Sequence, residues 1–361
     1  MNAPGIVGAL HPVVVTGGAG FIGSNLADRL AREGRHVLLF DSLRRTGAER
    51  NARWLRERHP ERISLQRCDI RDQTAVRAIV SEASAVFHFA AQVAVTTSLL
   101  DPTEDFAINV VGGFGLLEAA RRQNRALPFI FASTNKVYGD LADIPLVEEK
   151  DCYAPLDAAI RANGVSEERP LDFHTPYGCS KGAADQYVLD YARSFDLPAA
   201  VMRMSCIYGP RQMGTEDQGW VAHFLIRALR GEAITIFGDG KQVRDILYVD
   251  DAVNAYLAAW RNIERVKGRA FNLGGGPANA VSLRTLIAFI EGRLGRPVET
   301  RYEAWRPGDQ RYYVSNAQAA EHELGLRQPL PWREGVARLI DWLRREYPSS
   351  PASARQKEAA E

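Results

Sequence analysis

Residues 133 to 139, which read "STNKVYG", bring together side chains that could do chemistry. The apolar run "PFIFA" comes directly before them and is typical of a buried strand, so the polar groups are expected at the strand's end. A site that removes protons from carbon needs carboxylates, whereas here the hydroxyl of Thr134 is followed by the amide of Asn135 and the amine of Lys136. These two could orient substrate hydroxyls or bind phosphate. Asn135 as a turn former and Lys136 as the partner of a local carboxylate remain alternatives.

A tyrosine and a lysine, Tyr177 and Lys181, lie four residues apart at the start of a long helical pattern. That spacing puts both side chains on one face of the helix. A positive charge near the phenol would favour the phenolate and lower the pKa of Tyr177 below its usual value of about 10. The pair therefore predicts a phenol that exchanges a proton with an alcohol oxygen.

The element that would present a cofactor to these residues is the βαβ unit at residues 13 to 41. Its turn carries Gly17, Gly20 and Gly23, a glycine pattern that lets the backbone approach a pyrophosphate at a helix N-terminus. Asp41 ends the second strand, where a carboxylate can accept both ribose hydroxyls and would repel a 2′-phosphate. The pattern therefore predicts NAD rather than NADP.

Further apolar strands alternate with helical patterns, which predicts an α/β protein with a doubly wound parallel Rossmann sheet. Ligands of such sheets gather at the carboxyl ends of the strands. Asp69 and Ile70 follow one strand and fit an adenine contact, with a turn-forming Asp69 as the alternative. Arg44 and Arg45, just beyond Asp41, could soften the preference for NAD or could be solvated loop residues. The predicted cofactor site contains Gly17, Gly20, Phe21, Ile22, Gly23, Asp41, Asp69, Ile70, Ala90, Ala91, Tyr177 and Lys181.

The pattern is less regular after residue 200, which predicts a smaller C-terminal substrate-binding lobe. We expect an NAD-binding domain at residues 1–200 with a return segment near 240–260, a substrate lobe at 201–347 and a disordered tail at 348–361. The segment 148–174, next to Tyr177, is expected to be a lid or substrate loop.

Composition excludes several classes of protein. With 361 residues, 25% of them charged, and a net charge of +1, the chain has no basic footprint for nucleic acid. It has no apolar run long enough to span a membrane and no charged leader, so a cytoplasmic location is expected. The four cysteines form no C-x-x-C pair, and no metal site is indicated.

The stretches "TGGAGFIG", "HFAAQ", "STNKVYG" and "YGCSK" together resemble the extended short-chain dehydrogenase/reductase family. Members of that family mostly remodel nucleotide-linked sugars with bound NAD. The resemblance implies that Thr134 contacts the reacting oxygen, that Tyr177 is the acid/base and that Lys181 supports it. Sugar 4,6-dehydratases of the family carry an Asp-Glu pair after the hydroxyl, where this chain has Asn135 and Lys136, so elimination is disfavoured.

Longer stretches, among them "AAQVAVTTSLLDP" and "GDGKQVRDILYVDD", resemble the CDP-paratose 2-epimerase branch of the family. This implies a CDP-linked sugar as the favoured substrate, with oxidation at C2 followed by reduction on the other face. Met204 and the "RPGDQ" segment at 306–310 depart from that branch on the sugar or phosphate side, which leaves the sugar open. The predicted substrate-binding residues are Thr97, Asn135, Lys136, Gln218, Arg244 and Arg306.

Alternative functions remain open at this point. Within enzymes, the alternatives are a 4-epimerase or a 4,6-dehydratase with unusual acids. Outside enzymes, the same lobe could serve an NAD-binding regulatory protein, although such a protein has no need of an activated phenol. The helical patterns at 109–123 and 181–195 should leave apolar faces for self-association, and a homodimer or homotetramer is expected.

Overall fold

Strands and helices alternate along most of the chain. The computed structural model describes residues 11–306 and 308–347, so the tail expected at 348–361 lies outside the described residues. The strands are β1 (Val13–Thr16), β2 (Val37–Asp41), β3 (Ile63–Arg67), β4 (Ala85–His88), β5 (Phe129–Thr134), β6 (Leu146–Glu148), β7 (Tyr153–Pro155), β8 (Ala199–Met204), β9 (Cys206–Tyr208), β10 (Ile234–Phe237), β11 (Val243–Tyr248), β12 (Ala270–Leu273), β13 (Ala280–Ser282), β14 (Thr300–Glu303) and β15 (Tyr312–Tyr313). The helices are α1 (Phe21–Arg32), α2 (Ala48–Arg58), α3 (Gln73–Glu82), α4 (Val95–Leu100), α5 (Pro102–Phe106), α6 (Gly113–Arg121), α7 (Ala158–Asn163), α8 (Thr175–Phe195), α9 (Trp220–Arg230), α10 (Val249–Arg261), α11 (Ile263–Val266), α12 (Leu283–Leu294), α13 (Gln318–Leu324) and α14 (Trp332–Glu346).

A seven-stranded sheet in the order β12-β8-β5-β4-β1-β2-β3 forms the centre of the molecule. All of its strand pairs are parallel. Every residue of β1 and β5 is buried, because helices cover both faces of a parallel sheet. The predicted doubly wound α/β fold is confirmed. The strand order reverses between β4 and β1, which is where such sheets bind their ligands.

The central sheet includes strands from beyond residues 1–200, the range expected for the NAD-binding domain. A boundary at residue 200 falls inside β8, and β12 joins the sheet from 270–273. Helix α10 returns to pack against α1, in the region expected for the return segment. The chain therefore crosses between the sheet and the remaining elements more than once.

A second group of elements packs around β11. This strand pairs with β9, β13 and β15, while β10 and β14 form a separate pair. Helices α9, α12 and α14 share one apolar core with these strands. β9 directly follows β8 of the central sheet, and the chain returns from β11 through α10 to β12 of that sheet. This second group of elements therefore lies at the carboxyl edge of the sheet.

Among the described residues, no helix combines the length and the apolar character that crossing a bilayer requires.

Candidate active site

A cavity of about 900 Å³ opens at the carboxyl edge of the central sheet and extends to the elements around β11. Every residue that the sequence assigns to the site lines it. They are Gly17, Gly20, Phe21, Ile22, Gly23, Asp41, Asp69, Ile70, Ala90, Ala91, Thr97, Thr134, Asn135, Lys136, Tyr177, Lys181, Gln218, Arg244 and Arg306. The predicted cofactor-binding residues and the predicted substrate-binding residues thus line one cavity, although many of them are far apart in the sequence.

The end of β5 and the start of α8 position Thr134 and Tyr177. Thr134 is the last residue of β5, and its hydroxyl accepts a hydrogen bond from the backbone N–H of Lys136 (3.2 Å). Tyr177 lies in the first turn of α8, where its backbone N–H donates to the hydroxyl of Ser98 (3.2 Å). Because α8 packs directly on β5, the phenol and the threonine face the same part of the cavity.

The pKa of Tyr177 differs from the sequence-based expectation. Burial raises it to about 12, and the hydrogen bond with Thr134 only partly opposes that rise. Among nearby charges, Asp105 raises the pKa further and Arg45 lowers it. The expected fall of the phenol's pKa below its usual value is not seen in this arrangement, since the cost of burying a phenolate dominates and the positive charge that opposes it belongs to Arg45 rather than Lys181.

Lys181 directs its ammonium at the sheet. Its Nζ donates to the carbonyl oxygen of Ala132 at 2.6 Å and lies 4.2 Å from the centre of the Phe131 ring. Burial lowers the pKa of Lys181 to about 7, while Asp185 and Asp105 pull it upward. Near neutral pH this amine is therefore poised between its charged and neutral forms.

A buried polar cluster behind this pair was not predicted from the sequence. The Asn109 amide donates to Asp105 (3.1 Å), to Ser180 (3.0 Å) and to the carbonyl oxygen of Gln92 (3.0 Å). These residues come from α5, the following π-helical turn at 107–112 and α8. No local sequence signal reveals the cluster, because its members meet only when α5 packs on α8.

The glycine-rich turn fits a dinucleotide at the other end of the cavity. Gly17 has a φ of +66°, and a Cβ there would lie 2.7 Å from the backbone nitrogen of Ala90. A Cβ on Gly23 would lie 2.3 Å from the carbonyl oxygen of Gly17, so strand and helix could not approach as they do. Gly20 caps α1 without a side-chain hydrogen bond, which leaves N–H groups of the first turn available to an anion.

The carboxylates at this end are already ordered by the protein. Asp41 accepts hydrogen bonds from the backbone N–H groups of Ala19 (2.9 Å) and Leu43 (2.8 Å). Burial raises the pKa of Asp41, and these hydrogen bonds oppose the rise. Asp69 accepts from the Arg71 guanidinium at 2.8 and 2.7 Å, and its pKa is lowered by that contact. Asp69 thus lines the cavity and also orders the turn after β3.

The loop after Asp41 carries arginines that could meet a 2′-phosphate. Arg44 donates to Glu104 of α5 at 2.8 Å. Arg44 is thus already paired with a carboxylate. Glu104 also adds a second negative charge, beside that of Asp41, at this end of the cavity, and this charge disfavours the 2′-phosphate of NADP.

Residues 308–310 lie at the opposite end of the cavity, against residues 134–136. Lys136 donates from Nζ to the carbonyl oxygen of Gly308 (2.9 Å), and the Asn135 amide donates to Gln310 (3.3 Å). Gln310 is fully buried and donates in turn to the carbonyl oxygen of Gly139 (2.7 Å). The amide and the amine after Thr134 therefore anchor this segment.

Lys136 also retains the capacity to bind substrate. An ammonium has three donors, and among the described residues one of them is used on Gly308. Burial, followed by the positive charge of Arg244, lowers the pKa of Lys136 to about 8. The side chain is thus a cation at neutral pH, on the wall that a sugar would face.

Arg244 and Arg306, the two arginines among the predicted substrate-binding residues, make contacts within the protein. Arg244 donates to Asp309 (3.0 Å) and to the carbonyl oxygens of Val243 (2.8 Å) and Gln310 (2.5 Å). Arg306 lies 3.6 Å above the Phe237 ring and donates to the carbonyl oxygen of Glu216 (3.0 Å). A phosphate at Arg306 would compete with these contacts, and sequence reasoning did not foresee them.

The remaining predicted substrate residues lie on short elements at the rim. In the loop before α9, the backbone N–H of Thr215 donates to the carbonyl oxygen of Gln218 (2.9 Å). Trp220 begins α9, and its indole N–H donates to the sulfur of Cys206 (3.3 Å). Thr97 is exposed on α4.

The segment 148–174 is not a lid over this cavity. None of its residues is among those that line the cavity. Tyr153 is buried, and Val165 pairs with the 314–316 stretch through backbone hydrogen bonds (2.8 and 2.9 Å). Glu167 accepts from the backbone N–H of Asn272 (2.6 Å). These contacts hold the segment against the β12 and β15 region, so the expectation of a substrate loop was wrong.

Comparison with known proteins assigns the chain to a family. The model of the NAD dependent epimerase/dehydratase family matches residues 13–274. CDP-paratose 2-epimerase of Salmonella typhi is 40% identical over 337 residues, which cover 91% of this chain and 98% of that protein. UDP-glucose 4-epimerase of Mycolicibacterium smegmatis is 32% identical over 332 residues, covering 92% and 98%.

Solved structures show the same relationship. UDP-glucuronic acid 4-epimerase from Bacillus cereus, in complex with UDP-glucuronic acid and NAD, superposes with a TM-score of 0.80 at 27% identity. The match covers 93% of this chain and 100% of that one. UDP-glucose 4-epimerase of Thermus thermophilus, in complex with NAD, gives a TM-score of 0.77 at 30% identity over 92% and 99%. The predicted family resemblance is confirmed, and the chain belongs to the NAD dependent epimerase/dehydratase family, with NAD as its cofactor.

Proposed function

We propose that this enzyme inverts one ring carbon of a nucleotide-linked sugar by oxidising it to a ketone and reducing it on the opposite face. The observation that carries the proposal is the set of Thr134, Tyr177 and Lys181 on one wall of the cavity, followed by Asn135 and Lys136 instead of acids. The nearby Asp309 is paired with Arg244 and is poorly suited to act as a free acid. Inversion through a ketone needs a proton exchanged at oxygen, and no carboxylate has to remove a proton from carbon.

The protein's own groups divide the work. Thr134 orients the reacting oxygen, and Tyr177 takes its proton during oxidation and returns it during reduction. Bound NAD would supply the hydride acceptor for the oxidation, the hydride donor for the reduction, and a positive charge in its oxidised form. Gly17, Gly20 and the N-terminus of α1 would hold its pyrophosphate, and Asp41 would hold its ribose. Lys181 hydrogen-bonds near the nicotinamide ribose and adds a positive charge when protonated.

The substrate that the relatives favour is a CDP-linked hexose inverted at C2. This rests on the 40% identity to a CDP-paratose 2-epimerase over nearly the whole of both chains. A 4-epimerase acting on a UDP-linked sugar is the second candidate, because relatives of that name match over the same length at about 30% identity. In both cases we assign Arg306 to the diphosphate, and Lys136 and Gln218 to the sugar or the base.

We also propose that the enzyme is a homodimer. Helices α5, α6 and α8 expose apolar side chains that include Phe106, Phe114, Tyr187 and Phe195. Phe114 and Tyr187 touch edge to face, with ring centres 5.4 Å apart, so part of this surface is continuous across two helices. A contiguous apolar surface of this kind is typical of a protein interface.

Replacing Tyr177 tests its assignment as the residue that exchanges a proton with the substrate. Tyr177→Phe keeps the ring and removes the proton-carrying hydroxyl, so inversion should slow by a factor on the order of 10² to 10⁴. Bound NAD should be retained, because the glycine-rich turn is untouched. Activity is measured as the rate of product appearance by chromatography of the sugar nucleotide.

Tyr187→Phe is the matched control, since it removes a hydroxyl from the same helix at a position that is 46% exposed. It should leave the rate unchanged. A Tyr177→Phe enzyme that inverts its substrate at the wild-type rate would rule out the proposed chemistry.

A further inference from the structure

The loop at residues 209–219, between β9 and α9, reaches both ends of the cavity. Arg211 and Met213 line it together with Ala48 and Asn51, next to the glycine-rich turn. Further along the same loop, the 215–218 stretch lines the part of the cavity that contains Arg306. A displacement of this loop would therefore open the cofactor end and the sugar end together.

Arg211 attaches this loop to two other elements. Its guanidinium carbon lies 4.0 Å from the centre of the Trp54 ring of α2 and 5.6 Å from that of Trp342 of α14. An Nη atom lies 3.8 Å from the carboxylate of Glu346, and only 12% of the arginine side chain is exposed. Cation–π contacts strengthen when the cation is desolvated in this way.

The backbone of Arg211 is strained. Its φ is +71°, which is uncommon for a residue with a Cβ. Such a conformation persists only where the surroundings fix it, and it is frequent in ligand clamps. Here the indole rings of Trp54 and Trp342 and the carboxylate of Glu346 hold the arginine in this conformation.

Neighbouring residues fasten the same loop to the nucleotide-binding helices. The Asn25 amide of α1 donates to the carbonyl oxygen of Pro210 (3.0 Å), and the Asn51 amide of α2 donates to that of Arg211 (3.3 Å). The Tyr347 hydroxyl lies 3.1 Å from the sulfur of Met213. The loop is thus tied to α1, α2 and the end of α14, and α2 follows directly on the segment that contains Asp41.

We propose that Arg211 is a positioning residue that holds the 209–219 loop across the adenosine end of the cavity, so that NAD leaves only when the loop opens. NAD is then retained between turnovers. Loops of this type commonly control release rather than chemistry. The inference rests on the NAD cofactor of the family and does not depend on which sugar the enzyme inverts.

The test is the exchange of bound NAD for isotopically labelled NAD, followed by mass spectrometry of the protein-bound cofactor and without any sugar nucleotide. Arg211→Ala should exchange NAD roughly ten-fold faster than the wild type, as expected for loss of a desolvated cation–π contact. Arg211→Lys keeps the charge but loses the planar face that stacks on the indoles, so it should also exchange faster. Arg211→Gly relieves the positive φ while removing the side chain, and it should exchange as fast as the alanine variant.

Arg333→Ala is the matched control. Arg333 lies 4.4 Å from the centre of the Trp332 ring on the same helix as Trp342, and it does not line the cavity. This variant should exchange NAD at the wild-type rate. If Arg211→Ala does not fold, Arg211→Lys decides the matter by the same measurement. Folded Arg211 variants that exchange no faster than Arg333→Ala, even with lower melting temperatures, would show a merely structural role and overturn the proposal.

Discussion

Asn135 and Lys136 occupy the positions at which sugar dehydratases of this family carry acids, and the structure gives them a different task. Both hold the 308–310 stretch against the end of β5. The sequence left two roles open for Asn135, the orientation of substrate and the formation of a turn. A turn explains only part of its contacts, because its amide donates to Gln310. An elimination needs both an acid for the departing hydroxyl and a base for the proton on carbon, and Asn135 and Lys136 do not provide such a pair of carboxyl groups, so the site is better suited to inversion than to loss of water.

Lys136 should give the enzyme a pH-dependent affinity for its substrate. Its pKa is lowered to about 8, so the side chain is cationic below that pH and neutral above it. The KM for the sugar nucleotide should therefore rise as the pH increases from about 7 to 9, by roughly ten-fold if the ammonium makes one charge-assisted hydrogen bond to the substrate. Initial rates at a series of pH values measure this.

Lys136→Arg serves as the control, because a guanidinium keeps its charge over the whole range. Its KM should stay nearly constant between the same pH values. An equally large rise of the KM in this variant would mean that another group titrates, and the assignment of Lys136 would be wrong.

The spacing of Tyr177 and Lys181, together with the family resemblance that added Thr134, predicted a shared site, and all three residues line the same cavity. The sequence did not reveal the sign of the pKa shift on Tyr177, which depends on burial and on Asp105. Asp105 lies on α5, far from Tyr177 in the chain, and its approach is fixed by helix packing. Local patterns therefore predict which groups meet, while their ionisation depends on the folded surroundings.

At the scale of elements, the βαβ unit was the most predictable part. Its glycines, strand lengths and closing Asp41 are encoded within about thirty consecutive residues, and each follows from a local steric requirement. The 308–310 stretch was less predictable, because its position depends on contacts with residues 134–136 and with Arg244. The lid expected at 148–174 failed for the same reason, since Val165 and Glu167 contact residues more than a hundred positions away.

The helices α5, α6 and α8 lead to a prediction about assembly. If their exposed apolar face joins two copies of the chain, Phe114→Glu should place a charge in the interface and yield monomers. Phe114 contacts Tyr187 and is 39% exposed, so the change should cost little stability in the monomer itself. Light scattering during size-exclusion chromatography would show the molar mass falling by half.

Tyr302→Glu provides the comparison, because Tyr302 is also exposed (55%) but lies on β14, away from these helices. It should leave the molar mass at the wild-type value. A Phe114→Glu protein with an unchanged molar mass would place the interface elsewhere.

At the scale of the whole molecule, one cavity joins the parallel sheet to the elements around β11. The sheet and its helices contribute the glycine-rich turn, Asp41, Thr134, Tyr177 and Lys181 to the lining of this cavity, and the second group of elements contributes Arg244, Arg306 and residues of the 209–219 loop. A division of the chain near residue 200 does not follow the sheet, because β8 and β12 complete it from residues at and beyond that position. A dinucleotide at the sheet end and a sugar nucleotide at the other end would share this one cavity, as hydride transfer between them requires.

The most direct measurement of the central claim is the reaction of the purified enzyme with CDP-paratose in deuterated water, with the product examined by NMR and mass spectrometry. UDP-glucose serves as the parallel substrate for inversion at C4. The account predicts a product of unchanged mass that is inverted at a single ring carbon, C2 of the CDP-sugar, with no solvent deuterium on carbon. Loss of water, or deuterium bound to carbon, would contradict it.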